Sequence, residues 1–214
     1  MRDRDPTSVE CVSYWDAELL SAGQFLYMYN CLNQVDIDDL NRRVGRSSNE
    51  FDQSAYVFRL LYEAGCTLSY ISAESESDAL AGLVGDFDSW LKYSKIKYPE
   101  MEDNPGYREV YEGWRPFGQS LHDLRVEYAA QTTFEHRQPT AADIDRLLDD
   151  DYGILVCVEP APPCAVFGLV YGKSGQKYRA YHPIMGLVWL DGQDIIVNGV
   201  LRGWKAPVVG LKSK

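Results

Sequence analysis

The sequence predicts an α+β protein, with helices in its first part and an antiparallel sheet in its C-terminal third. Apolar residues recur at helical spacing in several segments before residue 150. After Gly153 the chain changes to apolar runs of strand length, which are ILVCVEP, AVFGLVYG, PIMGLVWL and DIIVNGV. Asp191-Gly192, a dipeptide typical of tight hairpins, lies between the last two runs. Helices followed by hairpin-linked strands indicate an α+β fold with an antiparallel sheet.

The length of 214 residues allows one well-buried core, so we expect a single domain over residues 1–214. Hydrophobic residues at 45% and charged residues at 25% are typical of a globular protein. The net charge of −11 argues against binding to nucleic acid or anionic lipid, because both are negatively charged. The opening MRDRDPTSVE lacks the apolar stretch of a signal peptide, and no apolar run reaches the roughly 20 residues of a membrane span. We therefore predict a cytoplasmic protein with no nucleic-acid and no membrane partner.

Neither a metal nor a cofactor is expected. The five cysteines are widely spaced and form no C-x-x-C pair; they are Cys11, Cys31, Cys66, Cys157 and Cys164. The three histidines, at positions 122, 136 and 182, are scattered as well. The sequence contains no G-x-x-x-x-G-K-[ST], no G-x-G-x-x-G, no G-x-S-x-G and no H-E-x-x-H, which are the patterns of phosphate, dinucleotide, serine-hydrolase and zinc sites.

The N-terminal part is predicted to contain three helices and one strand. Residues 1–12 are charged and are expected to be loose. Asp16 is a suitable N-cap for the helical segment WDAELLSAGQFLYMYNCL, although Gly23 within it leaves a start near Ser21 open. VDIDDLNRRVG and SAYVFRLLYEAG are predicted as the second and third helices, each ending at a glycine. The alternating CTLSYIS that follows predicts a strand.

Residues 75–135 are predicted to be mainly helical and are rich in aromatic residues. DALAGLVGDFDSWLKYSKIKY and YREVYEGWRPFGQSLHDLRVEYAA have helical patterns, and the loop PEMEDNPG separates them. The aromatic residues of this segment are expected to pack between helices rather than to line a groove; they are Trp90, Tyr93, Tyr98, Tyr107, Tyr111 and Trp114. The next segment, PTAADIDRLLDDDYG, begins with Thr140 and Asp143, a capping-box pair that predicts a further helix.

His182 and Asn198 are the candidate catalytic pair in the strand-rich region. In a hairpin that turns at Asp191-Gly192, the two residues lie about equally far from the turn and are predicted to be neighbours across the strands. A histidine facing a helix N-terminus can act as base for a nucleophile there, because the helix dipole and free N–H groups stabilise negative charge. An adjacent asparagine can fix the tautomer of the histidine.

The order of segments resembles the papain-like cysteine peptidases in their bacterial form, the double-glycine leader peptidases. In that family a helix opens with Cys-Gly-Pro-Ala and continues to Leu-x-Met, and a histidine precedes an apolar strand, a turn and a strand ending in Asn-Asp-Pro. Two segments, TAADIDRLLDDDYGILVCVEP and HPIMGLVWLDGQDIIVNGV, are similar to the late helix and strand and to the histidine hairpin. VDIDDLNRRVG and YVFRLLYEAGCTLSYIS are similar to the early part. The resemblance implies a papain-like fold, with N-terminal helices on a C-terminal antiparallel sheet and residues 75–135 inserted.

The resemblance also implies catalytic roles. Aligning Leu26 and Met28 with the Leu-x-Met of the family places Ser21 at the nucleophile position, and Cys11 is the other candidate nucleophile. His182 would be the general base and Asn198 its orienting partner, with Gly199 where the family has an acid. The implied function is acyl transfer, as a peptide or amide hydrolase or as an acyltransferase of a biosynthetic pathway that uses an acyl thioester. A variant keeps His182 as base without any covalent intermediate.

Two other functions are compatible with the sequence. A catalytically inactive relative would keep the groove as a binding site for a peptide, a leader or a carrier protein, which fits the loss of the cysteine, the aspartate and the upstream glutamine of the family. Carrier proteins are usually acidic, so the charge of −11 opposes that partner unless Arg179, Arg202 or Lys205 makes the site locally basic. A structural or immunity-type interaction protein of unrelated fold is the third alternative.

Overall fold

The computed structural model describes residues 4–6, 17–33, 36–44, 53–97, 106–161 and 164–207. Within these ranges the chain has a mixed α/β architecture, consistent with the predicted α+β class. The helices are α1 (Ala17–Met28), α2 (Ile37–Val44), α3 (Gln53–Glu63), α4 (Glu76–Val84), α5 (Phe87–Lys97), α6 (Tyr107–Glu127), α7 (Ala141–Asp149) and the short α8 (Gly192–Ile195). The strands are β1 (Thr67–Ser72), β2 (Thr132–His136), β3 (Tyr152–Ala161), β4 (Cys164–Ser174), β5 (Lys177–His182), β6 (Gly186–Leu190) and β7 (Val200–Lys205).

The strands form one mixed sheet in the order β2-β1-β7-β3-β4-β5-β6. As predicted, the C-terminal strands β3 to β7 pair in antiparallel. The sheet formed by the described residues departs from the prediction in two respects. Two of the seven strands come from before residue 137, and β1 pairs with β2 in parallel. The parallel pair arises because α4, α5 and α6 form a crossover that brings the chain back to the same end of the sheet before β2 starts.

Helices cover the sheet on both faces, and each face has its own apolar core. On one face, α1 and α3 pack against side chains such as Leu155, Leu169 and Trp204. On the other face, α7 and α8 pack against Ile154, Val170 and neighbouring strand residues. The two clusters use alternate residues of the same strands, as the pleat requires. The sheet is thus the middle layer of the molecule.

The described aromatic residues of the predicted insertion pack between its helices, as expected, whereas Tyr98 lies outside the described residues. The Trp90 ring is 5% exposed and lies 5.4 Å from the Tyr111 ring. The indole N–H of Trp114 donates to the carbonyl of Gly82 at 2.8 Å, which ties α6 to α4. Residues 75–135 are nevertheless not purely helical, because Thr132–His136 forms β2 at one edge of the sheet.

The connection between β6 and β7 differs from the prediction. Asp191-Gly192 does not turn a hairpin but starts α8, and the Asp191 N–H donates to Asp194 Oδ2 at 3.0 Å as part of a capping box. The tight turn lies instead at Asn198-Gly199, where φ is +52° and +68° and the Val200 N–H donates to the Val197 carbonyl. This turn delivers the chain into β7, and the Gly199 carbonyl accepts from the Ala73 N–H at 2.9 Å.

Replacing Gly199 tests this turn. In Gly199→Ala the new Cβ would be held at positive φ and only 3.1 Å from the Ala73 Cβ, so we expect a loss of about 1–2 kcal/mol in the free energy of unfolding. The matched control is Gly113→Ala on the exposed side of α6, where a Cβ meets nothing within 4 Å and the helix should gain about 0.5–1 kcal/mol. Urea denaturation measures both, and equal effects at the two positions would contradict the turn geometry.

Candidate functional site

The four predicted site residues occupy separate parts of the fold. Cys11 lies outside the residues that the structure describes. Ser21 lies in the second turn of α1, which is already helical at Ala17. His182 is the last residue of β5, and Asn198 lies in the turn that precedes β7. The structure therefore brings none of the described three together as a catalytic group.

The predicted contact between His182 and Asn198 across a hairpin is wrong. The partner of β5 is β6, in which Gly186 is opposite His182. In the sheet, β3 and β4 lie between β5 and β7, which places the two strands about 14 Å apart at the usual strand spacing. The side chain of Asn198 is exposed, as expected for a tight-turn residue. The prediction failed because the chain turns after His182 and not at Asp191-Gly192.

His182 stabilises the turn that follows it. Its ring is 1% exposed, and Nδ1 accepts hydrogen bonds from the backbone N–H groups of Ile184 and Met185, both at 3.1 Å. A nitrogen that accepts these bonds carries no proton, so the neutral ring has its proton on Nε2. The imidazole thus has an identified structural task at the β5–β6 turn.

Ser21 is sealed between α1 and the sheet. The residue is 0% exposed, and its hydroxyl donates to the carbonyl of Phe167 on β4 at 2.7 Å. A buried hydroxyl must find such an acceptor, because leaving it unpaired would cost about 1–3 kcal/mol. The bond fixes α1 against β4, and the hydroxyl faces a backbone carbonyl where a nucleophile would need a substrate.

Two further buried polar residues on α1 were not predicted from the sequence. Glu18 and Gln24 are 2% and 0% exposed, and with Ser21 they form a polar stripe on a helix that is otherwise apolar. The signal was present in AELLSAGQFLYM, where polar side chains recur every third residue among apolar ones. Such spacing puts them near one face of the helix. We call Glu18, Ser21 and Gln24 the α1 polar stripe.

A dense charge cluster joins the end of β2 to the start of α7. Arg137 donates to both carboxylate oxygens of Asp143, at 2.8 and 2.5 Å, and also to Glu135. The N–H and hydroxyl of Thr140 donate to Asp143 Oδ2, at 2.9 Å each, which completes the predicted capping box. The guanidinium and these donors hold the pKa of Asp143 well below its usual range. Each group is satisfied by another, so the cluster is structural.

Neither Cys31 nor Cys66, the two cysteines whose side chains the structure describes, provides a reactive thiolate. Cys31 is half-buried and Cys66 is fully buried, and burial raises the pKa of both thiols. Within the described ranges, His, Cys, Asp and Glu side chains form no group of three or more that could hold a metal ion. Among the helices of the same ranges, none combines the length and the apolar character needed to cross a membrane.

Comparisons of this chain with protein-family models, with curated proteins and with solved structures give no match.

Removing the Ser21 hydroxyl should weaken the fold. In Ser21→Ala the Phe167 carbonyl loses a buried donor, and we expect a loss of about 1 kcal/mol in the free energy of unfolding. The control is Ser120→Ala, because the exposed Ser120 hydroxyl also donates to a backbone carbonyl, that of Pro116, where water can replace it. We expect less than about 0.5 kcal/mol there. A Ser21→Ala protein as stable as wild type in urea would contradict the structural role.

The stabilisation from Asp143 should depend on pH. The pKa of Asp143 is lowered in the folded state, so its contribution is present above about pH 4, the unfolded value, and is lost as pH falls below it. Asp143→Asn should cost about 1–2 kcal/mol at pH 7, and the difference from wild type should narrow at pH 3. Urea denaturation at pH 7, 5 and 3 measures this.

Asp123→Asn is the control for that series, because Asp123 is exposed on α6. It should change the free energy of unfolding by less than about 0.5 kcal/mol at pH 7. A difference between wild type and Asp143→Asn that stays constant from pH 7 to pH 3 would contradict the assignment.

Proposed function

We propose that this chain is a non-catalytic protein of papain-like architecture that binds a peptide segment of a partner and neither cleaves nor acylates it. The observation that carries the proposal is the burial of Ser21, whose hydroxyl donates to the Phe167 carbonyl. Ser21 occupies the position that the resemblance gives to the nucleophile. A nucleophile must reach substrate and a base, and this hydroxyl is enclosed by the core.

The packing of α1 supports the papain-like part of the proposal. That architecture requires the helix bearing the nucleophile position to lie against the C-terminal strands, and α1 contacts β4 through Ser21. The early order of α2, α3 and β1 and the later order of α7 and β3 agree with the segments that the family has in those places. The additional β2 and the α8 connection are features of this chain.

The surroundings of His182 favour binding over catalysis. A general base needs a lone pair directed at the group that loses a proton. The Nδ1 lone pair of His182 is used by the Ile184 and Met185 amides, the ring is 1% exposed, and Asn198 lies three strands away. The predicted catalytic roles of Ser21 and His182 thus conflict with the structural roles of the same two side chains.

A peptide is preferred to an acidic carrier protein as partner. The chain has a net charge of −11, which repels another acidic protein over its whole surface. A short segment contacts only a small area, so a local basic group is sufficient to attract it. Acyl transfer with Cys11 as nucleophile is the competing function, and the following experiment distinguishes the two.

Alkylation with iodoacetamide between pH 6 and 9, read by mass spectrometry, tests for an activated thiol. We expect the alkylation of Cys11 to show no rapid phase below about pH 7.5, which is the signature of an activated thiolate. Cys31 and Cys66, whose thiol pKa values are raised, serve as slow internal references. A fluorophosphonate probe should leave Ser21 unmodified, because the buried hydroxyl is inaccessible.

The variant His182→Asn provides the decisive comparison. The asparagine Oδ1 can still accept from the turn amides, so the fold should be retained, whereas a base would be lost. We expect the alkylation rate of Cys11 to be unchanged. Rapid alkylation of Cys11 below about pH 7.5 that disappears in His182→Asn would overturn the proposal in favour of acyl transfer.

A further inference from the structure

The edge strand β6 has an unusual exposed face. It is the last strand in the sheet order of the described residues, and its alternate side chains Val188 and Leu190 pack toward the core shared with α7. On its outer face, Leu187 is 63% exposed and Trp189 is 51% exposed. An edge strand normally has polar or charged residues on such a face.

The opposite edge of the sheet shows the usual protection. There, β2 has the sequence TTFEH, and the charged Glu135 pairs with Arg137 and Arg146. In contrast, β6 has the sequence GLVWL, with no charge, no proline and no irregular pairing with β5. Long exposure of unprotected edges leads to aggregation, so an apolar edge that a protein retains is a candidate interaction site.

The turn that precedes β6 extends the apolar surface. Ile184 is 51% exposed and Met185 is 61% exposed, and His182 fixes the backbone of this turn through its two hydrogen bonds. With Leu187 and Trp189, these residues form the β6 apolar patch. Together the four side chains expose on the order of 400 Å² of surface, the size of patch that marks interaction sites on monomers.

One end of the β6 apolar patch carries an available positive charge. The guanidinium of Arg179, directly across from Trp189 on β5, lies 5.5 Å from the centre of the Trp189 ring. Arg179 forms no ion pair with any carboxylate of the described ranges, whereas its neighbour Lys177 is paired with Asp191 at 3.0 Å. A cation held on an aromatic ring beside an open edge can accept a carboxylate.

We propose that the β6 edge binds an extended, acidic peptide segment of another protein as an additional strand of the sheet. Backbone hydrogen bonds to β6 would supply general affinity, and side chains would supply selectivity. An apolar side chain of the peptide would lie beside Leu187, and a carboxylate two residues away would lie beside Trp189 and Arg179. This inference rests on the proposed peptide-binding function and assigns the surface and the chemistry of the partner.

A second copy of the chain fits this edge less well than a peptide. A stable dimer buries about 800 Å² on each partner, roughly twice the area of the β6 apolar patch. Two copies would also bring together chains of net charge −11. An acidic peptide, in contrast, would place its carboxylate beside Arg179, whose positive charge compensates it.

Three synthetic heptapeptides test the inference: acetylated TETVTET, its lysine counterpart TKTVTKT, and TETVTET with alternate backbone nitrogens methylated. The palindromic pattern places a carboxylate near Arg179 in either strand direction. Titrations followed by two-dimensional NMR should show TETVTET shifting the amides of Gly186–Leu190 with a sub-millimolar Kd. At about 0.15 M salt, where a Debye length of about 8 Å screens the net charge of the chain but not a direct contact with Arg179, the lysine peptide should bind at least tenfold more weakly. The methylated peptide should not bind, because it lacks strand donors.

Matched variants locate the site. Leu187→Thr and Trp189→Thr keep strand-forming residues but remove the apolar contacts, and each should weaken TETVTET at least fivefold. Arg179→Gln should abolish the preference for glutamate over lysine. The controls are Ile96→Thr, at an apolar residue 74% exposed on α5, and Arg125→Gln, at an arginine that also lies over a ring, that of Phe134. Neither control should change the Kd.

Three outcomes would overturn the inference: no binding of TETVTET up to millimolar concentration, equal binding of the methylated peptide, or amide shifts away from β6. Light scattering tests for a fourth such outcome. If the wild-type protein is a dimer and Leu187→Thr is a monomer, the occupant of the β6 edge is a second copy of the chain. Failure in any of these ways leaves the alkylation result on Cys11 unaffected. An activated Cys11, conversely, would overturn the proposed function even if TETVTET binds.

Discussion

The burial of α1 is the constraint on which the rest of the structure depends. Eleven of its twelve residues are buried, so every polar group on the helix must find its partner inside the protein. Ser21 does so by donating to the Phe167 carbonyl, and this bond sets the position of α1 over β4. The same burial that makes the helix a good core element removes its hydroxyl from solvent. Structural and catalytic use of Ser21 are thus in direct competition.

A second constraint operates at the other end of the sheet, where His182 fixes the turn into β6. The hydrogen bonds to Ile184 and Met185 hold the backbone so that two apolar side chains remain at the surface while the histidine ring is buried. The residue that the sequence marked as a base therefore shapes the border of the β6 apolar patch. Its position explains why a histidine is useful here without proton transfer, since Nδ1 is a good acceptor for adjacent amides.

Local signals in the sequence predicted local structure well, and long-range pairing poorly. The capping pair Thr140 and Asp143 identified α7 because both partners lie within one turn of the helix. Asp191-Gly192 misled because the same short pattern also fits a capping box with Asp194, and only the strand partners decide between the two. The place of β7 between β1 and β3 depends on contacts with residues far away in the chain, which periodicity does not encode.

In the candidate site, too, the sequence did not predict which distant residues lie close together, although it did indicate one exposed apolar segment. The distance between His182 and Asn198 depends on the order of the strands in the sheet, so counting residues from a predicted turn did not predict it. The run GLVWL, by contrast, is apolar at consecutive positions. Because successive side chains of a strand point to opposite faces of the sheet, such a run places apolar side chains on both faces. In a terminal strand of the sheet, such a run leaves Leu187 and Trp189 without a core to enter. Large apolar side chains are usually buried, so the exposure of these two beside Arg179 is the observation that motivates the proposed peptide partner at this edge.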